Sequence, residues 1–116
     1  MASACAALGP ALPDPLDGQD RRDTRPDSSL TAAWGAPPIV LRCGVPRPSA
    51  YEPTAAVVEV EGVAWLPERT PEGYVFTTTG RVVDVEVRVP AAYAPEVNAL
   101  VDLAPAVRER LPERPR

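Results

Sequence analysis

The sequence predicts a single α+β domain, in which an antiparallel sheet of four to five strands is covered on one face by helices. Two observations carry this prediction. Residues 82–89 alternate between valine and polar side chains, as a strand does when one of its faces is buried and the other is wet. The segment after Pro95 repeats apolar residues at helical spacing, so it supplies a C-terminal helix to cover the buried face. A chain of 116 residues suits one such domain, spanning 1–116.

The N-terminal segment is predicted to add short helical pieces to this cover. Apolar residues recur at helical spacing within residues 2–12 and would face the body: Cys5, Leu8 and Leu12. Gly9-Pro10 should break this helix. Residues 14–29 mix aspartates with arginines, and we interpret them as a polar loop, because the arginines would oppose a bound Ca²⁺. Ser29 can then cap a helical turn that runs to Trp34.

The first strands are predicted between proline and glycine breaks. Pro37-Pro38 extends the chain into a first strand from Ile39 to Cys43. The alternating residues 56–61 form the next strand, and Glu61-Gly62 is a plausible two-residue hairpin turn. Residues 63–66 return as the second strand of this hairpin, and Pro67 is expected to stop them.

The clearest predicted hairpin joins residues 74–79 to residues 82–89 through Thr79-Gly80-Arg81. Four valines of its second strand share one face and are predicted to be core: Val83, Val85, Val87 and Val89. The residues between them are predicted to face water: Asp84, Glu86 and Arg88.

The C-terminal helix is predicted to begin near Pro95, which suits a first helical turn. Its apolar stripe is expected to consist of Val97, Leu100, Val101, Ala104, Val107 and Leu111. Pro105 should kink or divide the helix. Residues 112–116 are expected to be a frayed tail.

Composition and charge exclude several classes of function. The net charge of −4, with both signs interspersed, disfavours binding to nucleic acid or to anionic lipid. The sequence has no histidine, so a Cys and His metal site is excluded, and no glycine-rich phosphate loop is present; we expect no cofactor. No apolar stretch approaches a spanning helix, and no full signal peptide precedes Cys5. Either the protein is cytosolic, or an N-terminal anchor has been removed from this sequence.

The two cysteines allow three interpretations. A Cys5–Cys43 disulfide would close a loop of about 38 residues and stabilise the domain by about 3–4 kcal/mol in the chain-entropy estimate. Both thiols could instead be buried and free. Lipidation of Cys5 is the third alternative, because Ala2-Ser3-Ala4-Cys5 faintly resembles a lipoprotein cleavage site, although the branched apolar residue expected there is missing. We favour the disulfide.

Catalytic equipment is scarce, and we predict no catalytic residue. Without histidine and lysine, the usual bases for a serine or cysteine nucleophile are absent. Two carboxylate pairs remain at i, i+2 on predicted strands, a spacing of about 6.5–7 Å that inverting glycosidases also use: Glu59 with Glu61, and Asp84 with Glu86. Solvated strand faces with cross-strand ion pairs are the competing interpretation, and we favour it.

Aromatic residues are the best remaining candidates for recognition: Trp34, Tyr51, Trp65, Tyr74, Phe76 and Tyr93. Exposed Trp34, Tyr51 or Trp65, together with Arg42 or Arg47, could stack on sugars or hold an anionic polymer. The competing interpretation makes both tryptophans core residues in a chain that has few large apolar side chains.

Several segments together resemble a known family: Cys5-Ala6-Ala7-Leu8, Leu16-Asp17-Gly18 with Arg21-Arg22, Ala33-Trp34-Gly35 to Pro46, Val60 to Pro67, and Tyr93-Ala94-Pro95-Glu96. The chain resembles, over nearly its whole length, an uncharacterised actinobacterial family catalogued as domain of unknown function 3515. The resemblance implies an extracytoplasmic domain whose N-terminal membrane anchor is missing from this sequence. It also favours the Cys5–Cys43 disulfide, because oxidised cysteine pairs persist outside the cytoplasm.

Two functional hypotheses follow. The first is a non-catalytic cell-envelope module that binds a protein partner or a wall component and meets the membrane only through the missing anchor. The alternative is a carboxylate-dependent hydrolase of wall glycan, which requires two of Glu59, Glu61, Asp84 and Glu86 in one cleft.

Overall fold

A computed structural model describes residues 2–24, 31–46 and 56–114. Two helices, α1 (Ala2–Ala11) and α2 (Asn98–Arg110), accompany seven strands: β1 (Arg21–Arg22), β2 (Thr31–Trp34), β3 (Ile39–Cys43), β4 (Val58–Val60), β5 (Val63–Thr70), β6 (Gly73–Thr78) and β7 (Val85–Pro90). The strands form one sheet in the order β1-β2-β3-β7-β6-β5-β4, and every neighbouring pair is antiparallel. The predicted α+β class is confirmed, with more strands than the four to five expected.

The helical turn predicted before Trp34 is wrong, because residues 31–34 form strand β2. The tight turn from Gly35 to Pro38 folds β2 back onto β3 and sets Trp34 opposite Ile39. This pairing buries both side chains, which a lone helical turn would not do. β1 then pairs with β2, so part of the predicted polar loop 14–29 belongs to the sheet.

Strand β5 continues through Pro67, where it was predicted to stop. Thr70 and Gly73 flank the two-residue turn between β5 and β6, and the Thr79 N–H donates to the Ala64 carbonyl at 3.1 Å. Hydrogen-bonded and non-hydrogen-bonded pairs alternate along antiparallel strands, and residue 64 belongs to a hydrogen-bonded pair. The even-numbered residues of β5 therefore exchange hydrogen bonds with β6, and the odd-numbered ones do not. Pro67, opposite Phe76, takes a position whose N–H would point away from β6, so its ring removes no bond from this pairing.

The predicted β6–β7 hairpin is confirmed, but its connection is longer than three residues. Asp84 holds this loop, because its carboxylate accepts from the Thr78 hydroxyl at 2.8 Å and from the Arg81 N–H at 3.4 Å. The Thr78 hydroxyl accepts in turn from the Val85 N–H at 3.0 Å. Asp84 therefore organises the loop instead of continuing the solvent-facing row, and β7 begins at Val85.

Both helices contain a proline. α1 includes Pro10, so it does not break at Gly9-Pro10, and α2 continues on both sides of Pro105. Pro105 deprives the Val101 carbonyl of its helical partner on an exposed side of the helix, where water can take the bond. The kink predicted at Pro105 stays a prediction.

The buried stripe of α2 differs in part from the predicted one. Its buried residues are Ala99, Leu100, Leu103, Ala104, Ala106 and Val107. Val97 and Val101, which were predicted to be core, are exposed, and Leu103 takes their place. Both versions of the stripe keep helical spacing, and the packing of α2 against α1, β4 and β5 determines which residues are buried.

The start of the predicted frayed tail is held in place. Glu113 forms an antiparallel bridge with Arg81. The Arg114 N–H donates to the Gly80 carbonyl at 2.6 Å, and the Val82 N–H donates to the Pro112 carbonyl at 3.0 Å. Residues 112–114 therefore pair with the loop between β6 and β7, and the prediction of a frayed tail fails for them.

The apolar core lies between the helices and one face of the sheet, which we call the covered face. Along the strands, its residues alternate with those of the opposite, open face: Trp34 on β2, Leu41 on β3, Val87 on β7, Phe76 on β6 and Trp65 on β5 are all buried. Cys5 of α1 is bonded to Cys43 of β3, with their Cα atoms 5.8 Å apart. The structure thus contains the predicted disulfide, and it ties α1 to the sheet.

Candidate functional site

The open face carries the charged residues of the central strands. Antiparallel register sets Arg42 of β3 beside Glu86 of β7, and Glu86 beside Thr77 of β6. The next row on this face runs from Val40 through Arg88 and Val75 to Glu68 of β5. These rows line a cavity of about 520 Å³, which we call the open-face cleft. It is defined here by Arg42, Glu68, Val75, Thr77, Glu86 and Arg88.

Glu86 lies between two arginines in the open-face cleft. Its Oε1 is 2.8 Å from Nε of Arg88 and 3.7 Å from Nη1 of Arg42. The Glu86 side chain is 14% exposed, whereas those of Arg42 and Arg88 are 55% and 54% exposed. The carboxylate therefore accepts a hydrogen bond from Arg88 and attracts Arg42, and both arginine side chains stay about half exposed. Guanidinium groups bind a carboxylate or phosphate with two parallel hydrogen bonds.

Strand β6 supplies the floor of the cleft with small or short side chains. Val75 and Thr77 are buried there. Glu68 on β5 lies on the far side of Val75 from Arg88, two strands away, which is about 10 Å. The cleft thus has an arginine-bearing wall on one side of β6. On the other side, β5 contributes Glu68 and also Arg69, whose guanidinium lies over the ring of the β6 tyrosine, 5.9 Å from its centroid.

A second cavity of about 200 Å³ adjoins the open-face cleft at the end nearest the β5–β6 turn, which we call the lower end. The two share Thr70, Val75 and Arg88 as lining residues. The smaller cavity extends the lining to Pro38 and Glu72. Together they follow β6 along most of its length, so the open face offers an elongated surface.

The structure separates the residues that were predicted for recognition. Arg42 lines the open-face cleft. Trp34 and Trp65 are both 0% exposed in the core, as the competing interpretation required, so neither ring can meet a ligand at the surface. The Trp34 Nε1–H donates to the Pro13 carbonyl at 3.0 Å. Arg47 and Tyr51 lie outside the described residues.

Glu86 was considered only as a catalytic carboxylate of the alternative hypothesis, and Arg88 was not among the predicted site residues. Their place on the wet face follows from the alternation in β7, but this alternation does not say which strand lies alongside. The missing information was the β3–β7 register, which sets Arg42 opposite Glu86 across more than forty residues of sequence. Pairing between strands that are far apart in sequence cannot be predicted from the local pattern of apolar and polar residues.

The remaining aromatic residues do not form one cluster. Tyr74 and Phe76 stack with ring centroids 5.5 Å apart, on the same side of the sheet as the core. They line an apolar cavity of about 350 Å³ with Pro67, Pro95 and Val97. Tyr93 lies elsewhere and donates its hydroxyl to the Pro37 carbonyl at 2.5 Å.

The carboxylates considered for catalysis occupy different places. Glu86 lines the open-face cleft, and Asp84 lines a separate cavity beside Gly44 and Arg114. Glu59 lies exposed on β4, and Glu61 lies in the β4–β5 turn with φ +49°. Neither lines the open-face cleft or the cavity beside Gly44. The open-face cleft and the cavity of Asp84 adjoin, because they share two lining residues, but among the described residues each of these two cavities is lined by a single one of the four carboxylates.

Two further searches cover the described residues alone. Within residues 2–24, 31–46 and 56–114, no group of three or more acidic or cysteine side chains could hold a metal ion. In the same ranges, neither helix has the length and apolar character needed to cross a membrane.

Comparison with known proteins adds a family. Residues 1–116 match the model of the family described as Protein of unknown function (DUF3515). No curated protein and no solved structure was found to match the chain.

Proposed function

Since the chain belongs to the DUF3515 family, whose description names no activity, we propose from its structure that it is a non-catalytic binding module of the cell envelope. In this proposal, the domain works outside the cytoplasm and holds a protein or wall component in the open-face cleft. The observation that carries the proposal is the Arg42–Glu86–Arg88 arrangement, in which a largely buried carboxylate accepts a hydrogen bond from one exposed arginine and lies 3.7 Å from the guanidinium of another.

The disulfide supports the proposed compartment. Cys5 and Cys43 are the chain's two cysteines, and both are used in this bond. Structural disulfides persist in oxidising compartments and are rare where thioredoxin and glutathione keep thiols reduced. A domain whose first helix depends on such a bond is suited to the space outside the cytoplasmic membrane.

The shape and charge of the cleft support binding. Arginine presents several N–H donors in a rigid plane. The hydrogen bond from Arg88 to Glu86 already restricts one of the two side chains, so this side chain loses less freedom when it holds an anionic group. The chain as a whole carries a net charge of −4, so two exposed arginines side by side oppose the general trend of its surface. This makes the Arg42–Arg88 pair a local site of attraction for an acidic ligand.

The alternative, hydrolysis of wall glycan, finds less support. An inverting glycosidase needs two carboxyl groups that face one bond across about 6.5–9.5 Å. Asp84 is engaged by Thr78 and Arg81, while Glu86 is engaged by two arginines. The two carboxylates line different, though adjoining, cavities. Binding is therefore the function that we propose.

Sedimentation with cell envelopes tests this proposal. The purified domain, with its disulfide intact, is mixed with washed envelopes of the cells that encode it, and the bound fraction is measured. We expect the wild-type domain to cosediment, and the double variant Arg42→Ala, Arg88→Ala to lose most of this binding. Arg110→Ala is the matched control, because Arg110 is exposed at the end of α2, away from the cleft. Equal binding by wild type and double variant would contradict the proposal.

A further inference from the structure

We infer that the ligand of the open-face cleft is an extended segment of a partner protein in which acidic and basic residues alternate. This inference rests on the proposed function and deepens it by naming the class of ligand. It draws on three features of the described residues: the length of the cleft, the opposite charges of its two walls, and the apolar positions between them.

The length of the cleft favours a chain over a compact ligand. Strand β6 runs for six residues, which spans about 20 Å at about 3.4 Å per residue. The open-face cleft and the smaller cavity beside it share lining residues along this strand. A single sugar or phosphate would occupy one end of this surface, whereas an extended peptide of six to eight residues, at about 3.4 Å each, would follow it throughout.

The walls differ in charge. Arg42 and Arg88 rise from β3 and β7 on one side of β6. Glu68 stands on β5 on the other side, and Glu72 lines the lower end. Arg69 also lines the β5 side, but its guanidinium lies over the ring of the β6 tyrosine, 5.9 Å from the centroid, which leaves Glu68 as the charged group that faces the cleft there. Successive side chains of an extended peptide point in opposite directions, so one that lies along β6 can direct acidic residues to the arginine wall and basic residues to the acidic wall.

The same arrangement disfavours ligands of uniform charge. A polyanion would meet Glu68 and Glu72 while it contacts the arginines, and it would also approach Glu86. A polycation would meet Arg42 and Arg88. Like charges held close together oppose binding, so a segment of mixed charge is the ligand that both walls accept.

Apolar positions lie between the charged ones. Val40, Val75 and Pro38 line the cavities beside Arg88. Val75 is already buried, but Pro38 is exposed and Val40 is half-buried, so contact with these two residues removes apolar surface from water. The aliphatic stems of lysine and glutamate side chains can make such contacts. A peptide backbone with such side chains covers these positions, and a glycan covered with hydroxyl groups does so less favourably.

Three labelled eight-residue peptides test the inference by fluorescence anisotropy at low ionic strength. The first alternates Glu and Lys, the second has the same composition arranged as a block of Glu followed by a block of Lys, and the third contains only Glu. We expect the alternating peptide to bind at least fivefold more tightly than either of the others. The block peptide is the control for net charge, because it differs from the alternating peptide in order alone.

Variants of the two walls sharpen this test. Arg88→Ala and Glu68→Ala should each weaken binding of the alternating peptide severalfold, and Glu68→Lys should shift the preference to the all-Glu peptide. Arg110→Ala, on α2, should leave all three affinities unchanged. Equal or absent binding of the three peptides to the wild-type domain would overturn the inference.

Enzymatic treatment of the envelopes separates this inference from the proposed function. If protease abolishes cosedimentation of the domain and a glycan hydrolase does not, the ligand is a protein, as inferred. If binding survives protease and is lost with the glycan hydrolase, the inference is overturned while the binding function stands. Failure of the untreated envelopes to bind the domain would instead overturn the proposed function.

Discussion

The covered and open faces of the sheet are built from the same strands, but the covered face forms the core and the open face carries the proposed binding site. The covered face is apolar, packs against α1 and α2, and is fastened by the Cys5–Cys43 disulfide. The open face carries the exposed pair Arg42 and Arg88 around Glu86. Because alternation along a strand assigns neighbouring residues to opposite faces, a change at residue 87 tests the core and a change at residue 88 tests the cleft. Stability and binding should therefore respond to different substitutions.

Removing the disulfide should have the largest effect on stability. The double variant Cys5→Ala, Cys43→Ala should lose about 3–4 kcal/mol of unfolding free energy, because the bond closes a loop of 38 residues that includes α1 and β2. Urea unfolding followed by tryptophan fluorescence measures the loss. The wild-type domain with reductant should match the variant, and a variant as stable as the oxidised wild type would contradict the role given to this bond.

Arg81 should come next. It is 5% exposed, and its guanidinium donates to the Leu111 carbonyl at 3.1 Å and to the Gly62 carbonyl at 3.2 Å. It thereby joins the end of α2 to the β4–β5 turn. Arg81→Met keeps the side-chain length but leaves both carbonyls without this donor, so we expect a loss of about 3 kcal/mol in urea unfolding.

Arg110→Met is the matched control for Arg81→Met, because Arg110 is an exposed arginine in the last turn of α2. It should change stability by less than about 0.5 kcal/mol. Similar losses for the two variants would mean that the bonds made by Arg81 contribute nothing particular to the fold.

The two core tryptophans should differ by a smaller amount. Trp34 Nε1 donates to the Pro13 carbonyl, whereas Trp65 Nε1 is buried with no partner among the described residues. Replacement by phenylalanine removes similar ring volume at both sites. The Trp34→Phe variant should therefore lose about 1 kcal/mol more stability than Trp65→Phe, which is what one part-buried hydrogen bond typically contributes. Equal losses in urea unfolding would show that the Pro13 contact adds no stability.

The smallest effect on stability should come from the open face. Arg42→Ala should change the unfolding free energy by less than about 0.5 kcal/mol, because its guanidinium is exposed and 3.7 Å from Glu86. Val87→Ala, on the covered face of the neighbouring strand, should by contrast cost about 2 kcal/mol through the cavity that it leaves. Urea unfolding of the two variants compares the faces directly, and a larger loss for Arg42→Ala would abolish the distinction between them.

Local patterns were enough to predict the fold class and several elements. β3 lies as predicted between Ile39 and Cys43, and Glu61-Gly62 forms the β4–β5 turn with positive φ at both residues. These features could be predicted because they depend on residues that are close together in sequence, through the turn preferences of single residues and the alternation of apolar and polar side chains. The buried side chains of β7 from Val85 onward follow for the same reason.

Features decided by distant partners could not be predicted in this way. Residues 31–34 are strand because β3 is available to pair with them, and Pro67 is tolerated because its missing N–H points away from β6. Leu103 is buried and Val101 is exposed, although helical spacing would allow either residue to face the core. The packing of α2 determines which of the two is buried. The open-face cleft falls in the same class, since Arg42 meets Glu86 only through the register of β3 with β7.

The most direct test of the account measures binding and stability on one preparation of the Arg42→Ala, Arg88→Ala variant. Cosedimentation with untreated envelopes gives the binding, and urea unfolding gives the stability. The account predicts that the variant loses most of its binding while its unfolding free energy stays within about 1 kcal/mol of wild type. Binding that persists in a folded variant would contradict the assignment of the open face as the binding surface.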